Sequence, residues 1–233
     1  MDKQLKLVAK SYDRAIELGK KGIDPYENLP KSLINDPDYP AFQKAGTENA
    51  LSDSGRKEIK EYLSPASNMK FIDLGCCLNL MFRGYDKWPS IYHGVDISGK
   101  TIRLLNEFVA NKNLPIGSLY HGSIHETPFD AGYFDIGACI GVLEYFEKDF
   151  VIKAVKESRR ILKPDGRLVL DILDIGNPMR RFTASIEEYL GRPDKFNMTS
   201  QEFEDVLQNY FEIEKTEKFN SAAMIQYFLR CKK

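Results

Sequence analysis

Phe71-Ile72-Asp73-Leu74-Gly75-Cys76-Cys77 is the stretch on which the fold turns. An apolar run over 69–74 carries one acid near its end and meets a glycine at once. It reads as a short buried strand followed by a tight turn. His93-Gly94-Val95-Asp96 repeats the arrangement, closing a strand over 91–95 with an acid. The two acids are one strand-helix-strand unit apart. Such units build parallel sheets, because parallel neighbours need a crossover helix between them.

Downstream, the alternation continues. Ser98 is placed to cap a helix over 99–112, with Ile102, Leu105 and Val109 on one face. A short strand follows at 119–121 and a buried one at 134–140. A helix over 149–162 turns Val151, Val155 and Leu162 inward. Pro164-Asp165-Gly166 reads as a turn before a fifth strand over 167–173. After an irregular stretch, Ser200 opens a helix to about residue 210. The segments 211–219 and 223–231 read as two strands joined by a short turn. The expected fold class is therefore α/β, with seven strands, mostly parallel, and an antiparallel hairpin at the C-terminus.

Upstream, the pattern differs. Leu5, Val8, Ala9, Tyr12, Ile16 and Leu18 give one helical stripe ending at Gly19. Pro25, Pro30, Pro37 and Pro40 then exclude a long helix, since each removes an N–H and restricts its predecessor. An irregular wrap is expected there, then a helix near 51–63 capped by Ser52 or Asp53. This gives an N-terminal helical and irregular cap over 1–57 and a core over 58–233, with 174–198 inserted as a lid.

Composition narrows the function classes. The chain has 233 residues, 42% hydrophobic and 12% aromatic, enough apolar material for a full core. Lys and Arg total 33 against 34 Asp and Glu, so no global basic field favours nucleic acid. No apolar run approaches the roughly 20 residues that span a bilayer, and Met1–Lys6 carries no signal-peptide core. The four cysteines, two of them adjacent, match neither a disulfide framework nor a zinc spacing. These features point to a cytoplasmic protein with no membrane or nucleic-acid partner and no bound metal, as a monomer or homodimer.

In a doubly wound sheet, ligands sit outside the carboxyl ends of the strands, near the switch in strand order. A carboxylate closing the second strand, Asp96, is placed to accept hydrogen bonds from two ribose hydroxyls. Gly75 lets the backbone approach a ligand closely. Taken alone, Gly75 is equally a plain tight turn, and Asp96 a carboxylate at a helix N-terminus.

The order of the later motifs extends the pattern: Pro128-Phe129-Asp130, Tyr133-Phe134-Asp135-Ile136, Gly141-Val142-Leu143-Glu144-Tyr145, and Leu162-Lys163-Pro164-Asp165-Gly166-Arg167-Leu168. With these the chain resembles the class I S-adenosylmethionine-dependent methyltransferases, in the broad group acting on small molecules and quinone precursors. The likeness runs from about residue 58 to 173, and the closing strands fit the family's reversed hairpin. It implies a Rossmann-like fold, S-adenosyl-L-methionine as cofactor, and in-line methyl transfer to a small organic acceptor.

Carried over residue by residue, the resemblance assigns Asp73, Gly75 and Cys76 to the motif at the methionine end of the cofactor. Asp96 takes the ribose and Ile97 packs on the adenine, which Ser123 and Ile124 bracket. Cys139 and Ile140 form the floor. Tyr12, in Val8-Ala9-Lys10-Ser11-Tyr12-Asp13, folds over the cofactor. Leu143, Glu144 and Tyr145 face the methyl group and acceptor. Glu144, Tyr145 and His125, with His121, are the candidate bases for an acceptor that must lose a proton; Tyr145 is alternatively an aromatic wall drawn to the sulfonium. The acceptor pocket is expected from Tyr12, Tyr26, Tyr39 and Phe42 on one side, and from Met179, Phe182, Tyr189 and Phe196 on the other. For most of these aromatics, core packing is the plainer role.

The sequence also departs from the family. The usual D-x-G-x-G-x-G loop has Cys77 and Asn79 for its later glycines, Ser123 stands for the adenine-binding Asp, and Glu144-Tyr145 replaces a frequent Glu-His. Asn79 is expected to preserve the left-handed turn. The altered loop motivates a second reading, a catalytically inactive methyltransferase-like domain that binds cofactor or acts as a scaffold. A nicotinamide-dependent oxidoreductase would show G-x-G-x-x-G, which Gly75-Cys76-Cys77-Leu78-Asn79-Leu80 does not.

Overall fold

The structure is a computed structural model that describes residues 3–26, 28–47 and 57–233. Its centre is one seven-stranded sheet. Strands β1 (Lys70–Leu74), β2 (Ile91–Asp96), β3 (Leu119–His121), β4 (Phe134–Cys139) and β5 (Leu162–Leu173) are parallel. Strands β6 (Phe211–Phe219) and β7 (Met224–Cys231) form an antiparallel hairpin whose β7 pairs antiparallel with β5. The spatial order is β3-β2-β1-β4-β5-β7-β6. The chain leaves β1 toward β2 and β3, then returns to β1's other side with β4. The switch in strand order thus falls between β1 and β4, where ligand crevices form in such sheets.

The strands are apolar because both faces are covered. Phe71 and Val169 turn to one face, where they meet Ile102, Leu105, Ile59 and Leu63. Ile72, Leu168 and Leu170 turn to the other, against Val151, Val155, Phe203 and Leu207. This alternation is the two-residue period of extended chain.

Helix α1 (Lys3–Gly19) follows the predicted stripe, with Leu5, Val8, Ala9 and Ile16 buried. The proline-rich stretch is less irregular than its sequence suggests. It holds α2 (Lys31–Ile34), preceded by Pro30, and α3 (Tyr39–Thr47), with Pro40 in its first turn. Proline is tolerated there because first-turn N–H groups lack helical acceptors anyway. Helix α4 is described over Lys57–Leu63; the expected caps Ser52 and Asp53 lie outside the described residues. A short α5 (Asn79–Phe82) follows β1. Helix α6 (Gly99–Lys112) starts as predicted: the Thr101 N–H donates to the Ser98 hydroxyl at 3.0 Å. Helix α7 is Lys148–Ile161.

Three further differences stand out. Strand β5 begins directly at Leu162, so the predicted Pro-Asp-Gly turn is instead an irregularity within it: Asp165 has φ of +61° and the β4–β5 register shifts between Phe134 and Ile136. The stretch expected to be irregular contains α8 (Arg180–Tyr189), whose Phe182 and Ile186 pack on Leu29 and Leu33. Helix α9 (Ser200–Leu207) opens at Ser200 as expected, capped by Thr199 through a reciprocal box with Glu202, but it stops at Leu207, short of residue 210. Among the described residues no helix is long and apolar enough to cross a membrane.

Candidate active site

A cavity of about 1320 Å³ opens at the carboxyl ends of the parallel strands. Its floor starts at the β1 turn. The Gly75 and Cys76 N–H groups both donate to the Val95 carbonyl, at 2.8 and 2.9 Å, which fastens the turn to the end of β2. Gly75 has φ of +74°, and a Cβ there would lie 2.3 Å from Val142 Cγ2. The position therefore needs glycine for conformation and for space. Cys77, not Asn79, takes the other left-handed conformation, with φ of +40°. Asn79 instead begins α5 and turns its side chain inward. Its amide donates toward both Asp73 oxygens at 3.2 and 3.4 Å, and its oxygen accepts from Arg83 Nε at 2.9 Å.

The two strand-end acids have different environments. Asp73 is fully buried, accepts the Tyr92 hydroxyl at 2.9 Å, and stands behind the cavity wall. Burial pushes its carboxyl up to about 6, against the hydrogen bonds from Tyr92 and Asn79. Asp96 lines the cavity. Its two oxygens accept the Ser98 N–H at 2.7 Å and the Cys77 N–H at 2.8 Å. It too is pushed to about 6, by burial. These backbone donors fix the carboxylate while leaving further lone pairs for hydroxyl donors.

Helix α1 roofs the cavity and is fastened on two sides. On the α6 side, the Ser98 hydroxyl donates to Asp13 at 2.6 Å, and Lys100 pairs with Glu17 at 2.9 Å. On the other side, the Ser11 hydroxyl donates to the Leu190 carbonyl at 2.8 Å, and the Gln4 amide donates to the Tyr145 carbonyl at 2.9 Å. Arg192, buried, joins the pieces. Its Nε donates to Glu187 at 2.5 Å and its Nη2 to the Tyr26 hydroxyl at 2.7 Å. Its guanidinium lies 4.7 Å from the Tyr12 ring centroid and 5.9 Å from that of Tyr145. The Tyr145 hydroxyl also donates to Glu187 at 3.2 Å.

Of the residues singled out in the sequence, Tyr12, Gly75, Asp96, Ile97, Ser123, Ile124, Ile140, Glu144 and Tyr145 come together on the wall. Asp73, Cys76, Cys139 and His125 do not. Cys76 is fully buried, with its sulfur where a Gly94 Cβ would sit at 2.9 Å. Cys139 packs in the core cluster with Leu168 and Leu170, while its neighbour Ile140 turns the other way. His125 is held off the cavity by a 2.6 Å bond between Nδ1 and the Ser123 hydroxyl, and by packing on Phe150. His121 is exposed and bonds the Ile97 carbonyl at 3.1 Å. Of the expected acceptor aromatics, Tyr12, Tyr26, Tyr39 and Phe42 line the cavity. On the opposite side, Phe182 and Phe196 are core residues, and Tyr189 faces solvent, bonding the Asn28 carbonyl. Thr183, Ile186, Glu187, Arg192 and Asp194 supply that wall in their place.

Asp171 was not singled out from the sequence, yet it lines the cavity near the end of β5 and accepts the Gly141 N–H at 2.8 Å. It obeys the rule that picked out Asp73 and Asp96: an acid within an apolar strand, close to its carboxyl end. Glu144 stands close enough to Asp171 to feel its charge. Burial first and Asp171 second push the Glu144 carboxyl well above the usual range. Among the described residues no group of three His, Cys, Asp or Glu side chains gathers as a metal site.

Residues 72–170 match a family model described as "Methyltransferase domain". The sterol 4-C-methyltransferase of Caenorhabditis elegans is 26% identical over 132 residues, 56% of this chain and 39% of that protein. An uncharacterized protein of Methanocaldococcus jannaschii is 30% identical over 121 residues, 51% of this chain and 48% of that one. The chain thus spans less than half the length of either curated relative. Among solved structures, the PH0226 protein of Pyrococcus horikoshii superposes with a TM-score of 0.59 at 21% identity, covering 85% of this chain and 94% of that one. Geranyl diphosphate C-methyltransferase of Streptomyces coelicolor, solved with Mg2+, geranyl diphosphate and S-adenosyl-L-homocysteine, gives 0.63 at 13% identity and covers 88% of each chain. Likeness at these identities is one of fold.

Proposed function

We propose that the chain, whose residues 72–170 match a methyltransferase-domain model, is a class I S-adenosylmethionine-dependent methyltransferase that transfers a methyl group to a small organic acceptor. One observation carries the reading. The wall bearing Gly75, Asp96 and Ile97 is continuous with a chamber under α1, and the whole, at about 1320 Å³, exceeds what one drug-sized ligand fills. It has room for a cofactor and an acceptor side by side.

The residues present suit S-adenosyl-L-methionine. Asp96 offers a fixed carboxylate to ribose hydroxyls, Ile97 and Ile124 offer apolar faces to adenine, and Gly75 leaves space at the turn. When bound, the cofactor supplies a methyl group already activated on a sulfonium. The chain's task is then to align the acceptor and exclude water; such alignment is worth on the order of 7–11 kcal/mol in favourable cases. Helix α1, the segment over 24–43 and the stretch over 174–198 serve as cap and lid. Tyr12 and Tyr145 form the aromatic wall at the junction of the two compartments. Glu144 is the carboxyl on the wall that serves as candidate acid or base for the acceptor, with burial pushing it well above the usual range.

Calorimetric titration with S-adenosyl-L-methionine, with NAD as control, tests the cofactor. An acceptor screen with labelled methyl groups tests the transfer. Micromolar binding of the first ligand alone and labelled product are expected. Binding without product on any acceptor supports the scaffold reading, and absence of binding to folded protein overturns both.

A further inference from the structure

Resting on that reading, and deepening it, we propose that the acceptor is an amine with an apolar tail, bound as its ammonium by Glu144 and Asp194, with Asp194 taking the proton that frees the nitrogen lone pair before the N–C bond forms and the sulfur–methyl bond breaks. The starting observation is a pair of carboxyl groups with unpartnered oxygens. Glu144 is 8% exposed and lines the cavity, and its Oε2 has no hydrogen-bond partner among the described residues. Asp194 lines the same cavity, and neither of its carboxyl oxygens has a partner among those residues. The backbone brings the two together: the Lys195 and Phe196 N–H groups both donate to the Glu144 carbonyl, at 2.9 and 3.1 Å. Neighbouring carboxyls add to the cost of ionising each of the two. Asp194 and Asp171 both act on Glu144, and Glu187 acts on Asp194.

Buried carboxyl oxygens without donors are expensive, and apolar residues of like size would form a cheaper wall. Two cations stand near Asp194 and ease its charge, but neither hydrogen-bonds the unpartnered oxygens: Arg192 is engaged by Glu187, Tyr26 and the Tyr12 ring, and Arg180 Nη2 donates to the Phe196 carbonyl. A sulfonium would offset one charge, leaving a net acidic end to the acceptor chamber. A carboxylate or phosphate acceptor would be repelled there. An ammonium brings up to three donors and a charge of the required sign. The remaining walls suit the rest of such a molecule. Leu5, Val8, Leu29 and Ile186 are apolar, and Tyr39 and Phe42 offer ring faces.

The test uses three probes of equal length, octylamine, 1-octanol and octanoate, titrated calorimetrically into the full chain saturated with S-adenosyl-L-homocysteine. Octylamine is expected to bind at least tenfold more tightly than either of the others. Asp194→Asn is expected to remove that preference, weakening octylamine about tenfold while leaving 1-octanol unchanged. Glu144→Gln is expected to act in the same direction. Equal or tighter binding of 1-octanol or octanoate, or binding of none of the three, overturns the proposal. So does a variant that weakens S-adenosyl-L-homocysteine instead of octylamine, since the carboxyl groups would then belong to the cofactor's amino-acid end. The titration with S-adenosyl-L-homocysteine alone separates the two readings: if it fails, the cofactor assignment fails first; if it succeeds and octylamine does not bind, only the acceptor class is wrong.

Discussion

The hydroxyls of Tyr12 and Tyr145 stand 3.3 Å apart, linking helix α1 to the turn after β4 across 133 residues of sequence. The rings meet edge to face at 79° and share the Arg192 guanidinium. Roof and floor of the cavity are therefore joined at one point.

Removing Arg192 should open that joint. Arg192→Leu leaves Glu187 without its ion-pair partner and Tyr26 without its donor. We expect a loss of about 3 kcal/mol, read from the urea midpoint, as for other broken buried pairs. Tyr145→Phe removes only hydroxyl bonds and should cost about 1 kcal/mol. A Leu variant no less stable than the Phe variant would show that the guanidinium does not hold the cap.

Asp96→Ala should weaken S-adenosyl-L-methionine strongly while the fold survives. Charge-assisted hydrogen bonds contribute about 1.5–3 kcal/mol, which corresponds to roughly ten- to a hundredfold in Kd by calorimetry. Asp96→Asn keeps one acceptor oxygen and should fall between the two. Unchanged affinity in the Ala variant would refute the ribose assignment.

Gly75→Ala should be poorly tolerated for two separable reasons. The left-handed φ costs an L-residue about 1–2 kcal/mol, and the new Cβ meets Val142 Cγ2 at 2.3 Å. Adding Val142→Ala removes the γ-carbon contacts but not the strain. The double variant is expected to melt above Gly75→Ala and below the native protein.

Acidity should stabilise the protein without ligand between about pH 4 and 6. Asp73, Asp96 and Asp194 are each raised by burial from 3.8 to about 6, so the folded chain binds protons that the unfolded chain has released. Their contribution is complete below the unfolded value and is lost as pH rises through about 6. His93, lowered by burial from 6.5 to about 4, works the other way over the same window. Glu144, also raised by burial, adds to the three, while Asp36, Glu157 and Glu214, held low by their partners, oppose them at the acid end; above that end stability falls as pH rises, by a few kcal/mol. Asp73→Asn should flatten the slope of melting temperature against pH by about one proton.

Much of this architecture was legible because strands carry their own signature. Asp73, Gly75 and Asp96 stand where an apolar run meets a turn, and the sheet places such positions along one edge. Asp171 lies inside its strand, in Leu170-Asp171-Ile172-Leu173, so no turn marks it in the sequence. Cys139 and Ile140 differ by one residue, and a strand sends adjacent side chains to opposite faces. Sequence alone leaves that parity open. Arg192, Glu187 and Asp194 had no local signal. They reach the cavity because α8 packs on Leu29 and Leu33 and the chain after it folds back onto the Glu144 carbonyl. Pro40 misled for a similar reason: a helix start and a helix break use the same residue.

Helix α1 is fastened both to α6 and to the α8 side, and it carries Tyr12 on the cavity wall. Docking of the helix and occupancy of the cavity are therefore linked equilibria. A ligand that requires the docked helix adds RT ln(1 + [L]/Kd) to its hold, about 2.7 kcal/mol at a hundredfold excess over Kd. By the same identity, each bond that α1 makes far from the ligand, such as Lys100 with Glu17, enters the measured affinity. The protein's grip on its small molecules is set in part by how well its own N-terminal helix stays in place.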